Sequence, residues 1–325
     1  MTSRQRFHDT MRFNTPDRVP YFEEGIRKDV LKTWYQQGLS PEVNISDLFQ
    51  TDHFYEMDMG LFSRLYKHPT ESKAFASLMN FLNSECLSRF WIQWQKKIRL
   101  WSKREDVLFL TLHRGFFLSM GVYDWREFTN VIYLLIENPD FVRETMFKQG
   151  EFIAKLVDKI LRDINIDAVI FSEPIGGNEG PLISPTMYEE FVLKSYQPIL
   201  DIVYKHGIDI VILRTYANIR LLIPSLLKYG FNCLWACETN SLAMDYRDLR
   251  KEFGRDLRLI GGLDLDVLRK NKAAIRKEIE EKVPPLIKSG GYIPLADGRV
   301  RKDIPFENYL YYRRLLEEIT GSKNG

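Results

Sequence analysis

Along this chain of 325 residues, ionisable side chains recur at the ends of short apolar runs. Leu257-Arg-Leu-Ile-Gly-Gly-Leu-Asp264 and Gly290-Gly-Tyr-Ile-Pro-Leu-Ala-Asp297 each pass through small residues to an aspartate. Other runs end at Glu23 and Glu24, at Glu56 and Asp58, at His113 and Arg114, at Glu173, at Arg214 and Tyr216, and at Cys237 and Glu238. Arg299 lies just beyond Asp297. In a repeated β/α chain, strand C-termini face one shared pocket. Carboxylates, arginines and a histidine gathered there would shift one another's pKa values. Such clusters perform acid/base chemistry or hold a charged substrate.

Each residue also has a plainer role. Asp264 and Asp297 suit helix N-caps. His113 suits a satisfied core position, and Glu23 and Glu24 suit solvated loops. Arg214 needs a carboxylate or a substrate anion beside it, since its desolvation is otherwise costly; Glu173 and Glu238 are the candidate partners. Cys233 and Cys237 share a strand face but lie about 13 Å apart, so no metal site is expected and Cys233 reads as core. No Gly-x-Ser-x-Gly elbow or lysine-bearing phosphate loop occurs. Gly176-Gly177 reads as a flexible loop or a βα turn.

The elements that must position these residues alternate. Thr2-Ser-Arg-Gln5 is a capping-box pattern and predicts a short helix. Strands are predicted at Val19–Phe22, Asp52–Met57, Val107–Leu112, Asp167–Glu173, Gly207–Leu213, Phe231–Ala236 and in the two opening segments. Helices are predicted over 70–104, over 124–163 with a break at Asn138-Pro139, and over 185–206, where Ser184 caps and Pro185 sits first. Others follow over 218–229, 244–253, 273–289 and 306–319. About eight β/α units in one domain spanning 1–325 predict a (β/α)₈ TIM barrel, with an open doubly wound sheet as the alternative.

Hydrophobic residues make up 45% of the chain and charged residues 28%, a globular balance. With 46 basic and 44 acidic residues, no large nucleic-acid footprint is expected. The polar N-terminus and the short apolar runs predict neither export nor a membrane anchor. Three scattered cysteines fit a reducing cytoplasm.

The chain resembles the uroporphyrinogen decarboxylase superfamily, which includes corrinoid-dependent methyltransferases. The matching segments are Thr2–Phe7, Thr15-Pro-Asp-Arg-Val-Pro20, Glu173 with Asn178-Glu-Gly-Pro-Leu-Ile-Ser-Pro185, Leu222–Gly230, Leu249–Gly254, Leu259–Asp264, Gly290–Pro294 and Ile304–Tyr309. The resemblance implies a (β/α)₈ barrel with its site at the strand C-termini. Where the decarboxylases carry an arginine-rich loop, this chain reads Tyr21-Phe-Glu-Glu-Gly-Ile-Arg-Lys28. Where they keep a histidine after the last strand, it reads Asp297-Gly-Arg-Val-Arg301. The zinc methyltransferases' His-x-Cys is Arg214-Thr-Tyr216 here, and their later cysteine position reads Leu295-Ala-Asp297.

The resemblance therefore implies a divergent branch that transfers methyl groups from small methylated substrates without a zinc-thiolate site. The chain itself is expected to bind no cofactor. Cobalamin, or another corrinoid, would be presented by a partner protein. Arg214, His113 and Tyr216 are the candidates for polarising the leaving group. Glu173 would orient substrate or hold that cation. Glu23, Arg114, Glu238, Asp264, Asp297 and Arg299 are the candidate substrate-binding residues. The alternatives are a decarboxylase of a porphyrinogen or smaller acid, and a non-catalytic barrel that binds a tetrapyrrole or small ligand.

Overall fold

Residues 1–58, 95, 98, 101–237 and 244–321 are described in a computed structural model of the chain. Seven strands form one parallel sheet in chain order: β1 (Phe54–Asp58), β2 (Val107–His113), β3 (Ala168–Glu173), β4 (Val211–Tyr216), β5 (Cys233–Cys237), β6 (Arg258–Gly261) and β7 (Tyr292–Ile293). Val107-Leu-Phe-Leu-Thr-Leu-His113 is buried at every position. That is the signature of a parallel strand covered on both faces.

The sheet curls. The Phe54 ring on β1 meets Trp235 on β5 with centroids 6.0 Å apart, although three strands lie between them in the sheet. Alternate side chains from successive strands close an interior cluster: Val107, Phe109, Ala168, Ile170, Ile212, Trp235, Ile260 and Ile293. Their neighbours Leu108, Leu110, Val169, Phe171, Val211 and Leu213 pack into a second layer with the helices. Helix α1 (Ser3–Met11), opened by the Thr2–Gln5 capping box, places Phe7 and Met11 in the interior cluster.

Of the remaining helices, the first two were not predicted from the sequence and the others follow the predicted pattern. After α2 (Lys28–Gln36) and the short α3 (Phe116–Ser119) come α4 (Trp125–Glu137) and α5 (Pro139–Asp163), which divide at Asn138-Pro139. Ser184 caps α6 (Pro185–Tyr188), which runs through a π-helical turn at Glu189–Leu193 into α7 (Lys194–Lys205). Then come α8 (Ile223–Lys228), α9 (Tyr246–Phe253), α10 (Lys272–Ser289) and α11 (Phe306–Thr320). The helix predicted over 70–104 lies almost wholly outside the described residues.

Two expectations are corrected. Val19–Phe22 is not a strand, so the described sheet has seven strands where eight were expected. The segment instead runs beside the gap between β7 and β1. Asp52 N–H donates to Tyr21 O at 3.0 Å, Val300 N–H donates to Gly25 O at 3.1 Å, and Ile26 pairs with Val300 in a single parallel bridge. Pro20, which lacks an N–H, interrupts the run. The fourth strand begins at Val211 rather than Gly207, so Arg214 and Tyr216 lie within it rather than beyond it.

Asp167, just before β3, ties α1 to the sheet. Its fully buried carboxylate accepts from Arg4 Nε at 2.6 Å, Arg104 Nη2 at 2.9 Å and Leu108 N–H at 2.8 Å, and His8 Nε2 lies 2.8 Å away. Burial works to raise this carboxyl, but those bonds and the Arg104 charge outweigh it and hold the group at about 2. Asp167→Asn should cost about 3 kcal/mol in urea unfolding at neutral pH, because the buried Arg104 side chain loses its charged partner. A carboxyl lowered on folding stabilises above its ordinary value and ceases to do so as pH falls toward about 2. The gap between wild type and variant should therefore narrow through that acid window.

Candidate functional site

Strand alternation sorts the strand-end residues onto two faces. On β4, Ile212 faces the interior, and two residues later so does Arg214. Across the mouth on β1 stands Glu56. Arg214 Nη1 donates to Glu56 Oε2 at 2.7 Å and Nη2 to Oε1 at 2.6 Å. Thr111 on β2 donates its hydroxyl to the same Oε1 at 2.7 Å. The guanidinium carbon lies 5.5 Å from the centroid of the Trp235 ring, which closes the interior beneath it. Burial works to raise the Glu56 carboxyl, but Arg214, Thr111 and the nearby Arg114 charge outweigh it and hold the group ionised. A second pair, Arg114 with Asp58, stands one step further out on the neighbouring strand ends.

Glu173 and His113 take the other face. Glu173 continues the Val169, Phe171 alternation into the layer between sheet and helices. The pairing register shifts between Thr111 and His113, and the His113 ring lands beside Phe171 and Tyr196. Glu173 is 0% exposed and His113 is 1% exposed. Glu173 Oε1 accepts from Phe116 N–H at 2.8 Å, and Oε2 accepts from Tyr196 Oη at 2.6 Å. Gly115 N–H donates to His113 Nδ1 at 2.9 Å, so the ring proton sits on Nε2, facing Ser119 Oγ at 3.3 Å. Burial pushes the Glu173 carboxyl up to about 7, against the bonds from Tyr196 and Phe116. Burial also pushes His113 down to about 3, so its ring is neutral.

The other candidates scatter. Tyr216, at the end of β4, is 43% exposed. Glu23 is held by Arg313 Nη1 at 2.8 Å, an arginine buried in α11. Asp264 caps the turn Leu265–Arg269 by accepting from Asp266 N–H at 2.9 Å, the plainer role foreseen for it. Asp297 is buried and accepts from Gly262 N–H at 2.9 Å, bracing the loop after β6. Arg299 is exposed. Glu238 lies outside the described residues, as does the Cys237 side chain. Cys233 belongs to the interior cluster, and burial pushes its thiol up to about 12. Among the described residues, no three His, Cys, Asp or Glu side chains converge to hold a metal ion.

The mouth therefore gathers Arg214 with Glu56, and Arg114 with Asp58. It does not gather Arg214 with Glu173, the pairing weighed from sequence. Glu56, Thr111 and Trp235 were legible as inward positions only once the curl was known. Tyr196 sits on a helix and carries no strand-end signal.

A sequence model of the uroporphyrinogen decarboxylase (URO-D) family matches residues 121–309. No curated protein matches the sequence. Among solved structures, 29 chains match. One is a methyltransferase from Methanosarcina mazei, with a TM-score of 0.65 and 13% identity, covering 98% of this chain and 99% of that one.

Gly115 shows how closely the loop after β2 is fitted to the strand ends. Its φ is +95°, and a β-carbon there would lie 2.7 Å from Pro174 Cδ and 2.8 Å from both Glu173 Oε1 and Ser172 O. Gly298 has φ +85° but open space around it. Gly298→Ala should cost about 1 kcal/mol for the left-handed backbone alone. Gly115→Ala should cost about 3 kcal/mol or more, since steric overlap is added. Chemical denaturation of the two variants beside wild type checks the difference, and equal losses would contradict the packing described.

Proposed function

Because the chain belongs to the uroporphyrinogen decarboxylase family, we propose that it is a methyltransferase. It takes a methyl group from a small methylated compound and passes it to a corrinoid carried by a separate protein. The observation that carries this reading is the Arg214 guanidinium, clamped by Glu56 at the strand C-termini. A methyl group leaves oxygen or nitrogen readily only if charge developing on that atom is stabilised. Arginine remains protonated and cannot serve as a general acid. Arg214 is thus a fixed cation, oriented before substrate arrives. The exposed Tyr216 hydroxyl, two residues along, is the candidate proton donor. His113 and Glu173, behind the sheet, would act on the mouth only indirectly.

The corrinoid would supply the methyl acceptor and enters as a co-substrate. A flat macrocycle needs an apolar rim to approach. Leu182, Tyr216 and Leu221 are exposed on the segments following β3 and at and after β4. Those segments are joined by the Gly177–Asn218 bridge. These residues support the reading as a place where the partner would dock. Decarboxylation of a porphyrinogen is less well supported. It would call for several cations turned toward the substrate's carboxylates, and among the described residues the mouth gathers two, Arg114 and Arg214.

Mixing the chain with a reduced corrinoid protein and a panel of methoxy and methylamine donors should alkylate the corrinoid for at least one donor, seen in its visible spectrum. Arg214→Ala should slow that turnover about 100- to 1,000-fold, the range for loss of one charge-stabilising donor. Arg214→Lys should recover part of it. No transfer from any donor would contradict the reading. An Arg214→Ala enzyme as fast as wild type would remove the arginine from it.

A further inference from the structure

In the buried chain behind the mouth, one tyrosine hydroxyl faces two acceptors. Tyr196 has a single hydroxyl hydrogen, yet its oxygen lies 2.6 Å from Glu173 Oε2 and 3.0 Å from His113 Nδ1. When Glu173 is ionised, that hydrogen belongs to the carboxylate, because a charged acceptor makes the stronger bond. His113 Nδ1 is then left to the N–H of Gly115. When Glu173 is protonated, its own O–H can donate to Tyr196 Oη. The tyrosine hydrogen must then turn to His113 Nδ1 and compete with Gly115 for that acceptor.

We propose that Glu173, Tyr196 and His113 form a buried proton switch tied to the backbone on either side of Arg114. Arg114 stands between two residues tied into this chain. His113 is held through its ring, and Gly115 through its N–H and through its carbonyl, which accepts from Ser119 Oγ at 2.6 Å. Phe116 N–H completes the attachment by donating to Glu173 itself. A change in who occupies His113 Nδ1 therefore reaches both neighbours of Arg114, whose side chain pairs with Asp58. The proton comes from solvent and no covalent bond changes. The role of Arg114 rests on the reading of the mouth as the working site.

Among the described residues, the side chains and backbone groups that face the Glu173 carboxyl are neutral on every packed element. They are His113 on β2, Phe116 N–H on α3, Tyr188 on α6 and Tyr196 on α7. On β4, Thr215 donates its hydroxyl to the Glu173 carbonyl at 2.7 Å. The Tyr188 hydroxyl is buried without a hydrogen-bond partner among the described residues, and its burial, with the Glu173 charge second, disfavours its ionisation. A carboxyl with two donors and no cation resists ionisation, in keeping with its rise to about 7. Glu173 thus changes charge near neutral pH, while His113, held near 3, stays neutral throughout.

Histidine-ring nitrogen NMR of the full chain, with infrared detection of the neutral carboxyl band, tests this without substrate or corrinoid. As pH falls through about 7, the carboxyl band should appear and the His113 Nδ1 resonance should shift with the same midpoint. Glu173→Gln should hold that resonance at its low-pH position at every pH, since the amide donates permanently to Tyr196. Tyr196→Phe should keep the carboxyl titration but abolish the His113 shift. A His113 resonance that stays flat in wild type while the carboxyl titrates would overturn the proposal, as would an unchanged shift in Tyr196→Phe. The transfer assay with the donor panel tests the methyltransferase reading separately, so either result can fail alone.

Discussion

One ion pair spans the mouth of this barrel-like sheet. Glu56 on the first strand and Arg214 on the fourth meet across the mouth, at 2.6 and 2.7 Å. Only a curled sheet brings those strands together, and only inward-facing positions supply the two side chains. The aromatic interior beneath, Trp235 against Phe54 and Phe109, excludes water from one side of the guanidinium. Side-chain exposures of 16% for Arg214 and 29% for Glu56 leave the pair partly hydrated, so the bidentate geometry, with Thr111 as a further donor, is what fixes the guanidinium. The clamp therefore orients a cation in advance, the arrangement on which the proposed methyl transfer rests.

The same strand ends feed two environments. Inward positions reach the mouth, where Glu56 stays ionised beside arginine. Outward positions enter the sheet–helix layer, where Glu173 has hydroxyl and amide donors but, among the described residues, no cation. Two carboxylates on one sheet thus acquire opposite tendencies from their surroundings rather than from their chemistry. The loop carrying His113, Arg114 and Gly115 joins the two environments, and its left-handed glycine fits so closely that little slack remains.

Much of this fold was legible in the sequence. Continuous apolar runs marked β2 and β3, and the capping box, Ser184-Pro185 and Asn138-Pro139 marked helix ends at the places found. Val19–Phe22 was misread because an apolar run near a proline satisfies a strand pattern without supplying the ladder hydrogen bonds. The site was half legible. Strand ends identified both Arg214 and Glu56, but not that they pair, because pairing between distant strands depends on curl and register. His113 illustrates the limit: alternation alone sends it inward with Thr111, and the register shift between them sends it to the other face. Asp264 and Asp297, the most conspicuous aspartates in the sequence, brace loops through backbone N–H groups.

The measurement that bears most directly on this account is a double-mutant cycle of Glu56→Gln and Arg214→Lys on the rate of methyl transfer to a reduced corrinoid protein. If the two side chains act as one clamp, each single change should cost nearly as much as both together, giving strongly non-additive losses. Losses that simply add, or a Glu56→Gln enzyme as fast as wild type, would contradict the clamp as the working centre of the mouth.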